Sequence, residues 1–265
     1  MMFLQACRSV GLLLPLLLLV QSNPIPSDSL PIDCEDIFIN ESRHDGYYTI
    51  YPFGEERPLE VYCDMSCDED ESHESQRGQW TVIQRRFDGI LNFVRPYEQY
   101  ISYFGVKDGE YWLGLQNMHL LTWGGRYALQ VDVEDYDGGR ASALYNSFMV
   151  ESETHGFKLS ISEFTNLGAG DALARHNGAM FSSFDKDQDG NAYRFWGAGP
   201  NGGFWYHSGY DCCQANVNGL YKYKIDHAAS KGGIFWSTWS ASSSLKAVTM
   251  KIRRRPIDEL LAETE

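Results

Sequence analysis

Trp80-Thr-Val-Ile-Gln-Arg-Arg-Phe-Asp-Gly89 is the stretch on which the fold turns. From Trp80 to Arg86 apolar and polar residues alternate, the period of a strand with one face on a core, and Asp88-Gly89 supplies the turn that ends it. Working outward, the same alternation recurs at Arg126–Val133, Lys158–Phe164 and Ala247–Arg253, and more briefly around Tyr47–Tyr51 and Leu59–Cys63. Two stretches read as helices, Cys34–Ile39 and Tyr111–Leu121, the second entered from Lys107-Asp108-Gly109. Strands separated by few helices predict an α+β protein built on antiparallel sheet. Residues 165–245 have almost no periodicity but are rich in Gly, Asn, Trp and Phe. Their aromatic content argues against disorder, so they predict a long loop region of the kind that carries function.

The first residues predict the compartment. Arg8 precedes an apolar run from Val10 to Val20, and polar Gln21, Ser22 and Asn23 follow. That order is a secretory signal peptide, expected at residues 1–22 with cleavage after Ser22. The run is short for a bilayer, and no later stretch reaches 18 apolar residues, so no membrane span is expected. Residues 23–32 read as a short tail without collagen-like or heptad repeats, and residues 256–265 as an acidic C-terminal tail. A net charge of -14 argues against a nucleic-acid partner. The basic run Lys251, Arg253, Arg254 and Arg255 reads as a strand end with solvated charges.

Removing Cys7 with the signal peptide leaves Cys34, Cys63, Cys67, Cys212 and Cys213, an odd number in an oxidising compartment. None of their spacings matches structural zinc. Asn40-Glu41-Ser42 is a glycosylation sequon, placing Asn40 on an accessible surface. Enzyme motifs are missing. There is no G-x-S-x-G, no P-loop and no dinucleotide fingerprint, and His73-Glu74 lacks the second His of a metalloprotease helix. The protein is therefore expected not to be an enzyme.

Asp185-Lys-Asp187-Gln-Asp189-Gly190-Asn191 is the sharpest local signal. Carboxylates at every second position converge on one hard cation when the backbone curls, and Gly190 permits the turn. The bidentate Glu of an EF-hand loop is replaced by Trp196, and no flanking helices are evident. On the motif alone a cation loop and a polar Asp-rich turn stand roughly even.

Several motifs together resemble the fibrinogen C-terminal-like domain family. They are Val61-Tyr-Cys-Asp-Met65, the Trp80–Gly89 stretch, Gly109-Glu-Tyr-Trp-Leu-Gly-Leu-Gln-Asn117, Phe181-Ser-Ser-Phe-Asp-Lys-Asp187, Asn216-Val-Asn-Gly-Leu-Tyr221, Gly233-Ile-Phe-Trp-Ser-Thr-Trp239 and Met250-Lys-Ile-Arg-Arg254. They run in family order over residues 33–255. Within the family the sequence is most similar to the microfibril-associated glycoprotein branch, with ficolin-type lectins next. The resemblance implies an A region, a B region on a twisted antiparallel sheet, and a loop-rich P region. It also implies calcium as cofactor, with Asp185 and Asp187 giving carboxylates and Asp189 and Asn191 giving main-chain carbonyls. In lectin members an acetyl-group pocket lies beside a Cys-His pair that follows a cis peptide. Matched onto this sequence, that pocket falls on Cys212, Cys213, Ser230 and Lys231, with Cys213 in place of the His and Asp211–Cys212 as the candidate cis bond. The usual partner of Cys212, near Phe195 or Trp196, is missing.

Expected bridges are therefore Cys34–Cys63 and Cys212–Cys213, the second an eight-membered ring that demands a distorted or cis peptide. Cys67 is left as an interchain candidate for a homo-oligomer. The function implied is that of a secreted, calcium-dependent matrix or adhesion protein binding tropoelastin, fibrillin or collagen. The alternative is an innate-immune lectin for acetylated or microbial glycans.

Overall fold

The computed structural model describes residues 30–40, 42–65, 79–124, 127–191, 196–209, 212–223, 232–240 and 243–255. Its first element is helix α1, Cys34–Ile39, capped by Asp33, whose carboxylate accepts from the N–H groups of Glu35 and Asp36. Strands β1 (Gly46–Ile50), β2 (Leu59–Asp64) and β3 (Trp80–Arg86) follow, then helix α2 (Tyr97–Ile101) and the two-residue strands β4 (Phe104–Gly105) and β5 (Tyr111–Trp112). Helix α3 spans Leu115–Thr122, and β6 (Tyr127–Glu134), β7 (Arg140–Val150) and β8 (Leu159–Leu167) complete the middle of the sequence. The strands beyond these are β9 (Ala215–Asn216), β10 (Phe235–Trp236) and the closing strand β11 (Ala247–Arg254).

The main sheet is antiparallel, in the order β1-β2-β3-β11-β6-β7-β8, with β5 also paired to β3 and β4 to β5. The last strand thus inserts between β3 and β6, its Val248, Met250 and Ile252 turned into the core. That is the return strand expected from the alternation at the C-terminus. The helix expected over Tyr111–Leu121 is not continuous. Tyr111 and Trp112 pair with Arg85 and Gln84 as strand, and the backbone turns at Gly114, with φ of 100°, before α3 begins. Gly114 sits against the backbone of residues 101–103, so a side chain there meets main chain as well as an unfavourable φ. Strand β7 and helix α2 carry no clean periodicity and are seen only in the structure.

The basic run is not solvated as expected. Lys251 Nζ lies between Asp64 Oδ2 at 2.7 Å and Asp132 Oδ2 at 2.8 Å. Arg254 Nε lies 2.8 Å from Asp33 and 3.0 Å from Glu35, and its Nη2 reaches Asp36. Arg253 stacks over the Trp80 ring, and Arg255 pairs with Glu163 at 3.4 Å. The reason is position. A strand in mid-sheet carries its polar residues past neighbouring strands, and the acids of β2, β6 and α1 lie opposite. Arg254 therefore fastens the N-terminal helix to the closing strand.

Candidate functional site

Beyond the end of β8, the described residues of 165–245 are held mainly by packed aromatics, with the short β9–β10 pair as their ladder. Tyr100, Trp112, Phe181 and Trp205 are buried and in ring contact, with centroids 4.9 Å apart for Tyr100–Phe181 and 5.3 Å for Phe181–Trp205. Each polar end finds main chain: Trp112 Nε1 donates to Tyr100 O at 2.9 Å and Trp205 Nε1 to Phe157 O at 2.7 Å. Tyr100 Oη donates to Phe93 O and accepts from Gly203 N. Buried aromatics with satisfied polar ends anchor a loop without ladder hydrogen bonds.

On that base stands the Asp-rich loop. Asp185 Oδ1 accepts from Tyr97 N at 2.8 Å and from Ser183 Oγ at 2.7 Å. Burial opposes ionisation of Asp185, but these bonds and the neighbouring Lys186 outweigh it and hold its pKa below the usual value. Asp187 Oδ1 accepts from Asp189 N at 3.2 Å. Asp189 is turned inward and buried, accepting from Asn191 N at 2.8 Å and Trp196 N at 2.9 Å. Burial raises its pKa despite those bonds. The Asn191 amide reaches Gly209 O. So the loop exposes two carboxylates, Asp185 and Asp187, while the Asp189 side chain folds the loop on itself. Among the described residues no three His, Cys, Asp or Glu side chains come together for a metal. A cation here would need further oxygens from main chain, side-chain amides or water.

The cysteine site lies in the same region. The structure bonds Cys34 to Cys63 and Cys212 to Cys213. The vicinal pair closes across a trans peptide, Cα atoms 3.7 Å apart, and no peptide among the described residues is cis. Cys212 is fully buried and Cys213 half-buried. Asp211, Ser230, Lys231 and Cys67 lie outside the described residues, as do residues 1–22, expected as a signal peptide, and residues 256–265. Asn40 is exposed at the C-cap of α1, where its side chain is accessible.

Three buried residues with structural roles carry no motif of their own. His176 Nδ1 donates to Trp205 O at 2.7 Å, which leaves Nε2 to accept from Ala215 N at 3.2 Å. A carbonyl can only accept and an N–H only donate, so the ring is the neutral Nδ1–H tautomer. Burial lowers its pKa to about 4. It ties the backbone just after the vicinal cysteines to the aromatic base. Arg86 Nη1 donates to Val217 O at 3.1 Å and Gly219 O at 3.0 Å, crossing from β3 into the loop region. Glu110 Oε1 lies 3.5 Å from Arg86 Nε, with both side chains 1% exposed. Arg86 and Glu110 belong to stretches that the sequence marks, but nothing in the sequence shows that they meet.

Sheet, aromatic base and loop region together define a fibrinogen-like globe, a class of non-enzymatic binding domain. The protein belongs to the family of the C-terminal globular domain of the fibrinogen beta and gamma chains, whose family model matches residues 30–255. It is 42% identical over 263 residues to microfibril-associated glycoprotein 4 of Bos taurus, covering 92% of this sequence and 98% of that protein. It is 40% identical over 234 residues to fibrinogen C domain-containing protein 1 of Xenopus tropicalis, covering 85% of this sequence and 48% of that one. Among solved structures it is similar to the fibrinogen-like globe domain of human ANGPTL2. That match has a TM-score of 0.76 and 36% identity, over 85% of this protein and 100% of that one.

Proposed function

We propose that this protein is a secreted extracellular-matrix binding protein of the microfibril-associated type, stabilised by calcium in its P region. The observation that carries the reading is the end-to-end match with bovine microfibril-associated glycoprotein 4, over 92% of this sequence and 98% of the other. Partners of this kind are tropoelastin, fibrillin and collagen, and the two exposed carboxylates of the Asp loop are the calcium donors. The test is solid-phase binding to each of the three proteins, with calcium and with EDTA, beside an array of acetylated and microbial glycans. Saturable, calcium-dependent binding to at least one matrix protein is expected. Binding to array glycans alone would replace this reading with the lectin one.

The donor set suits calcium. Calcium takes six to eight oxygens in flexible geometry, and two carboxylates with main-chain carbonyls of Asp189 and Asn191 form a hard-oxygen set without sulfur or imidazole. Bound calcium supplies folding stability by mass action, about 2.7 kcal/mol at a hundredfold excess over Kd. For a domain of this size that is a rise in Tm of about 5–10 °C. The wild type is expected to show it on calcium addition and Asp187→Ala to lose it. A wild-type Tm indifferent to calcium would remove calcium from the proposal.

Cys67 is proposed as the interchain cysteine of a homo-oligomer, since the other four mature cysteines are paired within one protomer. Non-reducing electrophoresis is expected to show a covalent dimer that disappears in Cys67→Ser. A dimer that persists in the variant would assign the link elsewhere.

A further inference from the structure

The bridges Cys34–Cys63 and Cys212–Cys213 differ in what they close and in what can reach them. Cys34–Cys63 has a sequence separation of 29, and both of its residues are fully buried. Cys212–Cys213 joins neighbours, with no residue between them. Cys212 is fully buried, whereas Cys213 is half-buried. We infer that this second bridge is a thiol-exchange site, at which a low-molecular-weight thiol such as glutathione becomes bonded to Cys213 while the fold stays intact.

In the chain-entropy model a disulfide stabilises a fold by restricting the unfolded chain, and the gain grows with the loop it closes. Between adjacent residues that loop is minimal, so the Cys212–Cys213 bridge adds little in this way. The segment that follows it is anchored by other means. Ser237 N donates to Gln214 O at 2.7 Å, and Ala215 N donates to His176 Nε2 at 3.2 Å. Ala215 and Asn216 pair with Trp236 and Phe235 as β9 and β10. Ala215, Asn216, Val217 and Asn218 are all buried. These contacts remain when the two sulfurs part, so the bond can open without releasing the loop.

Access sets which sulfur is attacked. Exchange begins when a thiolate attacks one sulfur of a bridge and expels the other. With Cys212 buried, the attack falls on Cys213. The incoming sulfur bonds to Cys213 Sγ, and the bond between the two cysteines breaks. Cys212 Sγ leaves with the electron pair and takes up a proton, replacing the one that the incoming thiol gave up. One disulfide and one thiol become another disulfide and another thiol, so no outside oxidant or reductant is consumed. The freed Cys212 then packs as a small apolar side chain. Attack by Cys212 on the mixed disulfide expels the small thiol and restores the ring, which makes the modification reversible. At Cys34–Cys63 the same reagent meets two fully buried residues, and that bridge survives.

This inference concerns the vicinal bridge alone and is independent of the calcium and matrix readings. The test is to incubate the folded mature protein, calcium present, with excess reduced glutathione, quench with acid, alkylate free thiols and map the peptides by mass. One glutathione on Cys213, an alkylated Cys212 and an intact Cys34–Cys63 bridge are expected, with a Tm within about 2 °C of the untreated protein. In Cys212→Ser, the remaining Cys213 thiol is expected to take up oxidised glutathione at least about tenfold faster than the remaining Cys212 thiol of Cys213→Ser. If either variant fails to fold, the wild-type mapping decides alone. An unmodified ring, glutathione on Cys212, two alkylated thiols without an adduct, or equal rates in the two variants would overturn the inference. So would opening of Cys34–Cys63 at a similar rate. A larger fall in Tm on adduct formation would make the ring a structural staple and overturn it as well.

Discussion

Glu110→Ala is expected to destabilise the folded protein by about 3–5 kcal/mol, the cost of leaving a buried charge without its partner. The Glu110 carboxylate accepts from four main-chain N–H groups: Phe87 at 2.8 Å, Asp88 at 3.2 Å and Gly89 at 3.1 Å on Oε1, and Leu91 at 3.0 Å on Oε2. It also faces Arg86, whose Cζ lies 3.9 Å from the Phe93 ring and whose Nη1 holds Val217 and Gly219. Deleting the carboxylate orphans the turn after β3 and isolates a guanidinium whose pKa burial already lowers to about 10. The loss therefore spreads to the docking of the loop region on the sheet. Urea unfolding followed by tryptophan fluorescence measures it, and a loss below about 1 kcal/mol would refute the role. Glu110→Gln keeps an acceptor for the N–H groups and is expected to cost less.

The same residue gives a pH signature. Burial opposes ionisation of Glu110, but Arg86 and the N–H groups outweigh it, and its pKa lies below the ordinary 4.5. The unfolded state then holds this proton more tightly than the folded one. The stabilisation is fully present above the unfolded value and is lost as pH falls through the folded one. Glu110→Gln should flatten the stability profile below about pH 4.5; near neutrality it should lower stability by a constant amount and leave the slope unchanged.

Strands that bury one face announce themselves, and Trp80–Arg86 and Ala247–Arg253 are legible because their alternation survives in a central position. Strand β7 is not, because the run Ser-Ala-Leu-Tyr-Asn-Ser over residues 142–147 mixes small and polar residues on both faces. Helix α3 starts later than its pattern suggests because Tyr111 and Trp112 suit a helix face as well as a strand, and only the pairing with β3 decides. The Asp loop is legible as a pattern of carboxylates. Which of them turn outward is not, since Asp189 is drawn in by N–H groups that only the fold brings near. The roles of Arg86, Glu110 and His176 depend on contacts between residues distant in sequence, which no local pattern encodes. The basic run misleads for the same cause: its partners on β2, β6 and α1 are distant in sequence.

Removing the Cys34–Cys63 bridge is the second large effect expected, a loss of about 3–4 kcal/mol for a loop of about 30 residues in the chain-entropy model. The bridge joins the first residue of α1 to β2, and both cysteines are fully buried. What it adds lies mainly in the unfolded state, because the folded helix has other anchors. Asp33 accepts from Tyr127 Oη at 2.7 Å, Cys34 N donates to Thr81 Oγ1 at 3.1 Å, and Arg254 grips the first turn. The Cys34→Ala/Cys63→Ala variant should therefore keep its near-UV spectrum and native contacts while its Tm falls by about 6–16 °C. Losing the near-UV signal at room temperature would mean that the bridge holds the A region in place rather than restricting the unfolded state. A Tm within about 2 °C of wild type, or recovery of Cys34 and Cys63 as free thiols from wild-type protein under non-reducing peptide mapping, would show that the bridge contributes nothing.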